Sequence, residues 1–197
     1  MLRPSRDEFH RLAASHSVVP VWRELLADLI TPVAAFARLC GDDRSGFLFE
    51  SVEHGERWSR WSFVGRNPHA TLVLRDGVVE VEGEVPGDMP RDRGILAAIE
   101  FLLERHRSPQ LDELPPLHGG VVGYLGYDVV REVEHLPEIP ADVTGYPDAV
   151  VSIIGQMAAF DHFRQRVTLI DNVLVPADAD AATLDRLYEE AIERLDR

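Results

Sequence analysis

Four stretches of the chain carry apolar residues every three or four positions, which is the spacing of an amphipathic helix. Ser5 and Glu8 have the spacing of a capping box at the start of the first stretch. Thr31 and Pro32 are a typical N-cap and first helical residue for the second stretch, and Gly41 is a typical end. The sequence therefore predicts helices over residues 5–15, 31–41, 94–107 and from about 180 to 197.

Shorter apolar runs between these helices predict strands, because they either alternate with polar residues or stay apolar for only a few positions. Asp76-Gly77 separates two of these runs and is typical of a tight hairpin turn. The polar step Asp161-His162 separates two long apolar runs and indicates a second hairpin. Residues 118–134 are expected to begin as a strand and to end as a polar helix. The remaining strands are expected at residues 18–22, 47–49, 58–64, 71–74, 78–82, 150–160 and 166–175.

This order of elements fits an α+β fold, made mostly of antiparallel sheets with helices packed on them. A chain of 197 residues is expected to form one domain, residues 1–197, or a tight pair of lobes. The final helix reaches the end of the sequence with no Gly, no Pro and no capping residue beyond Asp196-Arg197. Two interpretations of this helix are equally open: it ends the protein at the surface, or it leads into a further domain.

The charge of the chain disfavours several classes of partner. Twenty basic and 34 acidic residues give a net charge of -14, which repels nucleic-acid phosphates and anionic lipids, so neither nucleic acid nor membrane is expected as a partner. All the basic residues are Arg, and this excludes mechanisms that need a lysine, such as a Schiff base or a P-loop. The sequence contains neither a signal peptide nor a long apolar span, which predicts a cytoplasmic location.

Metal and disulfide chemistry also find little support in the sequence. The single cysteine, Cys40, excludes an internal disulfide and a four-thiolate zinc site. The eight histidines show none of the spacings of a metal site, so scattered surface positions are the better interpretation. Residues 119–126, GGVVGYLG, are dense in glycine but lack the spacing of a phosphate-binding loop. Close approach of two backbones is therefore favoured over a phosphate cradle for this segment.

One carboxylate has an unusual setting. Glu50 follows three large apolar residues, and if Phe49 points outward, Leu48 and Glu50 point inward together. A carboxylate that faces a core requires a cationic partner or several donors. Arg60 on the next strand or the ammonium group of a ligand could supply that partner. These residues do not by themselves identify an enzyme active site.

Two longer stretches resemble a known family. Residues 47–65, FLFESVEHGERWSRWSFVG, resemble the LLES…GRYSFIG region of anthranilate synthase component I. Residues 118–128, HGGVVGYLGYD, look like the GGxVGYxxYD segment of the same family. Shorter matches fall in the expected order at Val19-Pro-Val, Thr31-Pro-Val, Asn67-Pro and Phe160-Asp-His162. The resemblance to this group of chorismate-utilising enzymes extends from about residue 8 to residue 195.

The resemblance implies an N-terminal regulatory domain whose C-terminal chorismate-binding catalytic domain lies outside this chain. It places the catalytic residues and the Mg²⁺ site in that second domain, so the chain is expected to hold no catalytic residue, no metal and no cofactor of its own. It also implies feedback inhibition by L-tryptophan, with ligand contacts at Leu48, Glu50, Ser51 and Arg60. Glu50 would receive the ammonium group of the ligand, while Ser51 and Arg60 would hold polar groups or the carboxylate.

Two departures from the family pattern concern this site. Phe49 replaces the usual second leucine of the LLES element. The Pro-Tyr-Met segment that completes the site in the family belongs to the catalytic domain and is not found in this sequence, so weak binding by the chain alone is expected.

The resemblance further implies a place in tryptophan biosynthesis and a glutamine amidotransferase subunit, component II, as the source of ammonia. Two alternatives stay open. One is the N-terminal lobe of aminodeoxychorismate synthase component I, from the folate pathway. The other is a freestanding module that binds an amino acid or docks on a subunit.

Overall fold

The computed structural model describes residues 2–41, 46–50, 60–138 and 145–197. The described helices are α1 (Arg6–Ala13), α2 (Pro32–Cys40), α3 (Gly94–Arg105) and α4 (Ala181–Asp196), with a 3₁₀ helix at Tyr127–Glu132. The described strands are β1 (Leu2–Arg3), β2 (Val18–Leu26), β3 (Phe47–Phe49), β4 (Trp61–Arg66), β5 (Ala70–Arg75), β6 (Val78–Gly83), β7 (Val121–Leu125), β8 (Ala149–Ile153), β9 (Gln156–Asp161) and β10 (Arg166–Leu174).

The chain divides into two compact units, and each draws on separate segments of the sequence. Unit 1 comprises Met1–Pro68, His106–Gly120 and Ile154–Arg197. Unit 2 comprises His69–Arg105 and Val121–Ile153. The expectation of a single domain over residues 1–197 stays a prediction.

Unit 1 is built on a six-stranded sheet in the order β1-β2-β10-β9-β4-β3, and each neighbouring pair is antiparallel. Val167 and Val173 lie six residues apart on β10 and therefore on the same face of the sheet. Val173 packs in a core with residues of α1 and α4, and Val167 packs in a core with residues of α2. These three helices therefore cover one face of the sheet.

Unit 2 is built on a four-stranded antiparallel sheet in the order β6-β5-β8-β7. One face of this sheet packs on α3 and on the 3₁₀ helix. The fully or nearly fully buried members of this core include Leu72, Val79, Ile95, Leu102 and Ala149. Two sheets of antiparallel strands with packed helices make the chain an α+β protein, which confirms the predicted fold class.

The helix signals in the sequence are confirmed by side-chain caps. The Ser5 hydroxyl accepts the backbone N–H of Glu8 at 3.3 Å, and the Thr31 hydroxyl accepts that of Ala34 at 3.2 Å. The Asp180 carboxylate caps α4 in the same way. The apolar stripe of α4 packs on β2 and β10 within unit 1, so it is not left exposed as an unpartnered surface.

Most strand predictions hold. β1 lies where no strand was predicted, and residues 58–59 of the strand predicted at 58–64 lie outside the described residues. The hairpin at Asp76-Gly77 and the hairpin between β9 and β10 are confirmed. The apolar run at residues 150–160 was expected to be one strand, and this is wrong. The run breaks at Ile154-Gly155, because β8 pairs in the sheet of unit 2 and β9 pairs in the sheet of unit 1. Both strands are largely buried, so the apolar composition continues across the break.

Candidate functional site

Strand β3 and strand β4 place the predicted ligand-binding element at one edge of the unit 1 sheet. Leu48 pairs with Val64, and Phe49 pairs with Phe63. Leu48 and Val64 face α2 and its apolar core. Since side chains alternate along a strand, Phe49 and Phe63 point to the opposite face.

An open depression of about 520 Å³ lies beside this edge of the sheet. Trp61 and Phe63 provide aromatic walls, and their rings are nearly parallel, with 14° between the planes and 6.2 Å between centroids. The residues that line the depression are Leu48, Phe49, Glu50, Trp61, Phe63 and Leu117. The described lining of the depression therefore combines apolar and aromatic surface with the carboxylate of Glu50.

Glu50 lies immediately after the end of β3 and is exposed to solvent. The expectation that it would point into the core together with Leu48 is therefore wrong. Leu48 is half-buried against the α2 core, whereas Glu50 borders the open depression. A carboxylate at this position keeps most of its hydration and is free to meet a cationic ligand group.

Arg60 precedes β4 and pairs with a carboxylate other than Glu50. Its Nε donates to Asp161 Oδ1 at 3.0 Å, and its Nη2 donates to Asp161 Oδ2 at 2.5 Å. The guanidinium also lies 4.9 Å from the centroid of the Trp61 ring. Arg60 is thus held by a bidentate ion pair with Asp161 and by a cation–π contact with Trp61, which lines the depression.

Asp161 is only 5% exposed and receives further donors. The backbone N–H groups of Phe163 and Arg164 each donate to Oδ1 at 3.1 Å. Burial raises the pKa of the Asp161 carboxyl, but the hydrogen bonds from Arg60, Arg164 and Phe163 outweigh it and hold that pKa below its usual range. The carboxylate is therefore charged at neutral pH and anchors Arg60.

Ser51 was predicted to contact the ligand, and it lies outside the described residues. Of the four predicted ligand contacts, Leu48 and Glu50 line the depression, and Arg60 adjoins it through Trp61. Assignment of these residues to tryptophan binding stays a prediction.

The glycine-dense segment behaves as a place of close backbone approach. A Cβ atom on Gly123 would lie 2.0 Å from the carbonyl oxygen of Val150. One on Gly126 would lie 2.7 Å from the carbonyl oxygen of Asp148. Glycine is required at both positions because neighbouring backbone leaves no room for a side chain, and this confirms the prediction of close backbone approach.

The residues that sequence reasoning missed at this site are Asp161, Trp61 and Leu117. Trp61 is half-buried beside the depression. Asp161 is separated from Arg60 by 101 positions, and Leu117 comes from a distant segment. The match at Phe160-Asp-His162 was a signal for the importance of Asp161, but spacing alone could not pair it with Arg60.

A second group of buried polar residues lies in unit 1. Asp171 is 2% exposed and accepts hydrogen bonds from Arg194 Nε at 2.9 Å, Arg194 Nη2 at 2.8 Å and Gln156 Nε2 at 2.7 Å. The Gln156 Oε1 in turn accepts from Arg66 and Asn67. This group ties the end of α4 to the centre of the sheet.

Within residues 2–41, 46–50, 60–138 and 145–197, no group of three or more His, Cys, Asp or Glu side chains is arranged to hold a metal ion. In the same described part of the chain, no helix has both the length and the apolar character to cross a bilayer.

The chain is similar in sequence to several enzymes. It is 38% identical over 192 residues to anthranilate synthase component 1 of Mycolicibacterium smegmatis, a match that covers 98% of this chain and 36% of the relative. It is 40% identical over 198 residues to the protein of the same name from Mycobacterium tuberculosis, covering 98% of this chain and 38% of that one. The Thermus thermophilus protein of that name is 40% identical over 162 residues, with 82% of this chain and 34% of the relative covered.

No family model matches the chain. A crystal structure of anthranilate synthase component I from Streptococcus pneumoniae aligns with 88% of this chain and 36% of that one, at 26% identity and a TM-score of 0.49. The sequence match lies in the N-terminal part of the relatives, and the chain spans little more than a third of their length. By its sequence, the chain belongs to the anthranilate synthase component I family.

Proposed function

We propose that the chain is the N-terminal regulatory domain of an anthranilate synthase component I. In this proposal the full-length protein acts in the cytoplasm, in tryptophan biosynthesis, and converts chorismate and glutamine-derived ammonia to anthranilate. Its C-terminal domain holds the catalytic residues and Mg²⁺, and a glutamine amidotransferase, component II, supplies the ammonia. The support is that relatives matched over 98% of this chain carry the name anthranilate synthase component 1.

The regulatory part of the proposal is that the depression beside Glu50 receives L-tryptophan. A zwitterionic aromatic amino acid needs a carboxylate for its ammonium group and apolar surface for its ring. The exposed carboxylate of Glu50 and the aromatic walls of Trp61 and Phe63 border the same depression. This juxtaposition is the single structural observation that supports the proposed effector site.

Leu48 adds apolar surface to the proposed site, and Ser51 follows Glu50 in the chain. Arg60 belongs to the site through its contact with Trp61. The Pro-Tyr-Met segment expected in the catalytic domain would complete the site. Full affinity therefore requires the full-length protein, and the chain alone is expected to bind weakly.

Regulation in this proposal is allosteric. L-tryptophan can inhibit catalysis from a separate domain only if it binds more tightly to a less active arrangement of the protein. A hundredfold preference for that arrangement corresponds to about 2.7 kcal/mol, which is within the usual range of coupling energies. A carboxylate–ammonium bond and one buried aromatic ring are sufficient to supply a difference of this size.

The test is an assay of anthranilate formation by the full-length protein with component II, as a function of L-tryptophan concentration. Glu50→Gln and Ser51→Ala should raise the half-inhibiting concentration at least about tenfold and leave the uninhibited rate unchanged. Glu80→Gln, which alters an exposed carboxylate on β6, is the matched control and should leave inhibition unchanged. D-tryptophan tests whether inhibition depends on the stereochemistry of the amino acid, and L-phenylalanine tests whether it depends on the indole ring.

Inhibition by L-tryptophan that is unaltered in both site variants would refute the effector site. Product analysis of the same reactions tests the enzyme assignment separately, because aminodeoxychorismate in place of anthranilate would place the protein in the folate pathway. A protein that forms neither product would favour the freestanding module. Calorimetric titration of the 197-residue chain with L-tryptophan then measures how much of the affinity resides in this part alone.

A further inference from the structure

The Arg60 guanidinium is fixed along its edge and across its face. Its edge makes the two hydrogen bonds to Asp161, at 3.0 and 2.5 Å. Its face lies over the Trp61 ring at 4.9 Å from the centroid, and the Phe163 ring lies 6.0 Å away. The backbone adds a further tie, because the carbonyl oxygen of Arg60 accepts the N–H of His162 at 2.9 Å.

This arrangement makes Arg60 a poor partner for the carboxylate of a ligand. Turning the guanidinium towards the depression would break the bidentate ion pair with Asp161. The Asp161 carboxylate, which is only 5% exposed, would then have lost its cation. Removing one partner from such a pair costs far more than an exposed ion pair contributes. The same movement would also release the face of Trp61, which lines the depression.

Trp61 connects the Arg60–Asp161 ion pair to the depression, because it contacts Arg60 and also lines the depression. It pairs with Asp161 across the β4–β9 ladder, and its ring lies nearly parallel to that of Phe63. The orientation of an aromatic wall decides whether a flat ligand ring can stack on it. Asp161, Arg60 and Trp61 therefore form a chain of contacts that runs from a buried carboxylate to the wall of the depression.

We propose that Arg60 is a positioning residue, which the Asp161 carboxylate holds in place so that the Trp61 ring forms a fixed wall of the effector site. The identity of the effector rests on the proposed function, whereas the position of Trp61 does not. Arg60 then acts on ligand affinity through Trp61 and makes no direct bond to the ligand.

A matched control exists in the same sheet. Asp171 is also a buried aspartate that accepts two hydrogen bonds from one arginine, Arg194. It pairs with Gln156 and Val21 in the sheet and is not a ladder partner of Trp61. Asp161→Asn and Asp171→Asn therefore remove the same charge from the same kind of pair, and only the first should affect Trp61.

The first experiment needs no ligand. The chain labelled with 5-fluorotryptophan gives fluorine resonances for its three tryptophans, and Trp61→Phe identifies the one that belongs to Trp61. Asp161→Asn and Arg60→Gln should shift or broaden this resonance, and Asp171→Asn should leave it in place. Arg60→Gln keeps the measurement decisive if Asp161→Asn does not fold. A Trp61 resonance unmoved in the folded variants overturns the inference.

The second experiment measures inhibition of the full-length protein by L-tryptophan. A positioning role predicts that Asp161→Asn raises the half-inhibiting concentration about tenfold, while Asp171→Asn leaves it unchanged. A direct bond from Arg60 to the ligand predicts the opposite sign, because Asp161→Asn would free the guanidinium. Equal or tighter inhibition of Asp161→Asn therefore overturns the inference. A wild-type protein that L-tryptophan does not inhibit refutes the proposed function instead, and the fluorine spectra still decide the position of Trp61.

Discussion

Arg194 on α4 donates two hydrogen bonds to the buried carboxylate of Asp171 on β10, from Nε at 2.9 Å and from Nη2 at 2.8 Å. The hydrogen bonds that Arg194 donates to Asp171 raise the pKa of the Arg194 guanidinium, so the guanidinium stays charged. This pair fixes the last turn of the final helix to the centre of the unit 1 sheet.

Arg194→Ala should lower the free energy of unfolding of unit 1 by about 2 kcal/mol, because it leaves a buried carboxylate without its cation. The value is smaller than for a fully buried pair, since 36% of the Arg194 side chain is exposed. Arg186→Ala removes an exposed ion pair with Glu190 on the same helix and should change the stability by less than about 0.5 kcal/mol. Urea unfolding followed by tryptophan fluorescence measures both variants, and equal losses would contradict the prediction.

Asp161 should make the free energy of unfolding of unit 1 depend on pH in the acid range. Its pKa in the folded chain lies below the ordinary value of about 3.9, so its contribution is complete above that pH and is lost as the pH falls through the folded value. The difference in unfolding free energy between the wild type and Asp161→Asn should therefore be constant near neutral pH and shrink below about pH 4.

Urea unfolding at a series of pH values from 7 to 3 measures this difference. Arg60→Gln should give an intermediate acid dependence, because it removes one of the groups that lower the pKa of Asp161. Wild-type and Asp161→Asn curves that stay parallel down to pH 3 would show that the carboxylate titrates alike in the folded and unfolded chain.

Glu132 caps a helix that is remote from it in the sequence. Its carboxylate accepts the N–H of Ile95 at 2.8 Å and that of Leu96 at 2.9 Å, in the first turn of α3. Glu132→Ala should destabilise unit 2 by about 1 kcal/mol, the usual cost of a lost N-cap. Glu134→Ala, an exposed glutamate two positions on, is the control. Amide hydrogen exchange in the first turn of α3 is the measurement, and equal protection in the two variants would contradict the capping role.

Gly123 should tolerate no side chain. A Cβ atom there would lie 2.0 Å from the Val150 carbonyl oxygen, so Gly123→Ala must push β7 away from β8. We expect a loss of several kcal/mol, on the scale of severe core mutations. Gly87→Ala is the control within unit 2, because a Cβ there meets open space and its backbone has no positive φ. Thermal melting by circular dichroism compares the two, and similar midpoints would be inconsistent with the close strand approach.

Local signals in the sequence predicted much of the fold because they act over a few residues. The caps at Ser5 and Thr31 and the turn at Asp76-Gly77 are of this kind. The break between β8 and β9 was not predicted, because the periodicity of apolar residues indicates burial but does not show which sheet a strand joins.

The candidate site was only partly predictable for the same reason. Leu48 lies within the apolar strand β3, and Glu50 follows that strand directly in the sequence. The burial assigned to Glu50 was wrong because strand alternation was extended past Phe49, where β3 ends. The partner of Arg60 lies 101 positions away, and no local pattern specifies a contact over that distance.

The pairing of β2 with β10 has a consequence for synthesis on the ribosome. β2 is made early, but its partner in the middle of the sheet comes from close to the end of the described sequence. Until those residues leave the exit tunnel, β2 lacks this partner and its apolar residues cannot reach their final environment. Chaperones that bind extended apolar segments are therefore expected to meet the nascent chain at Val18–Leu26.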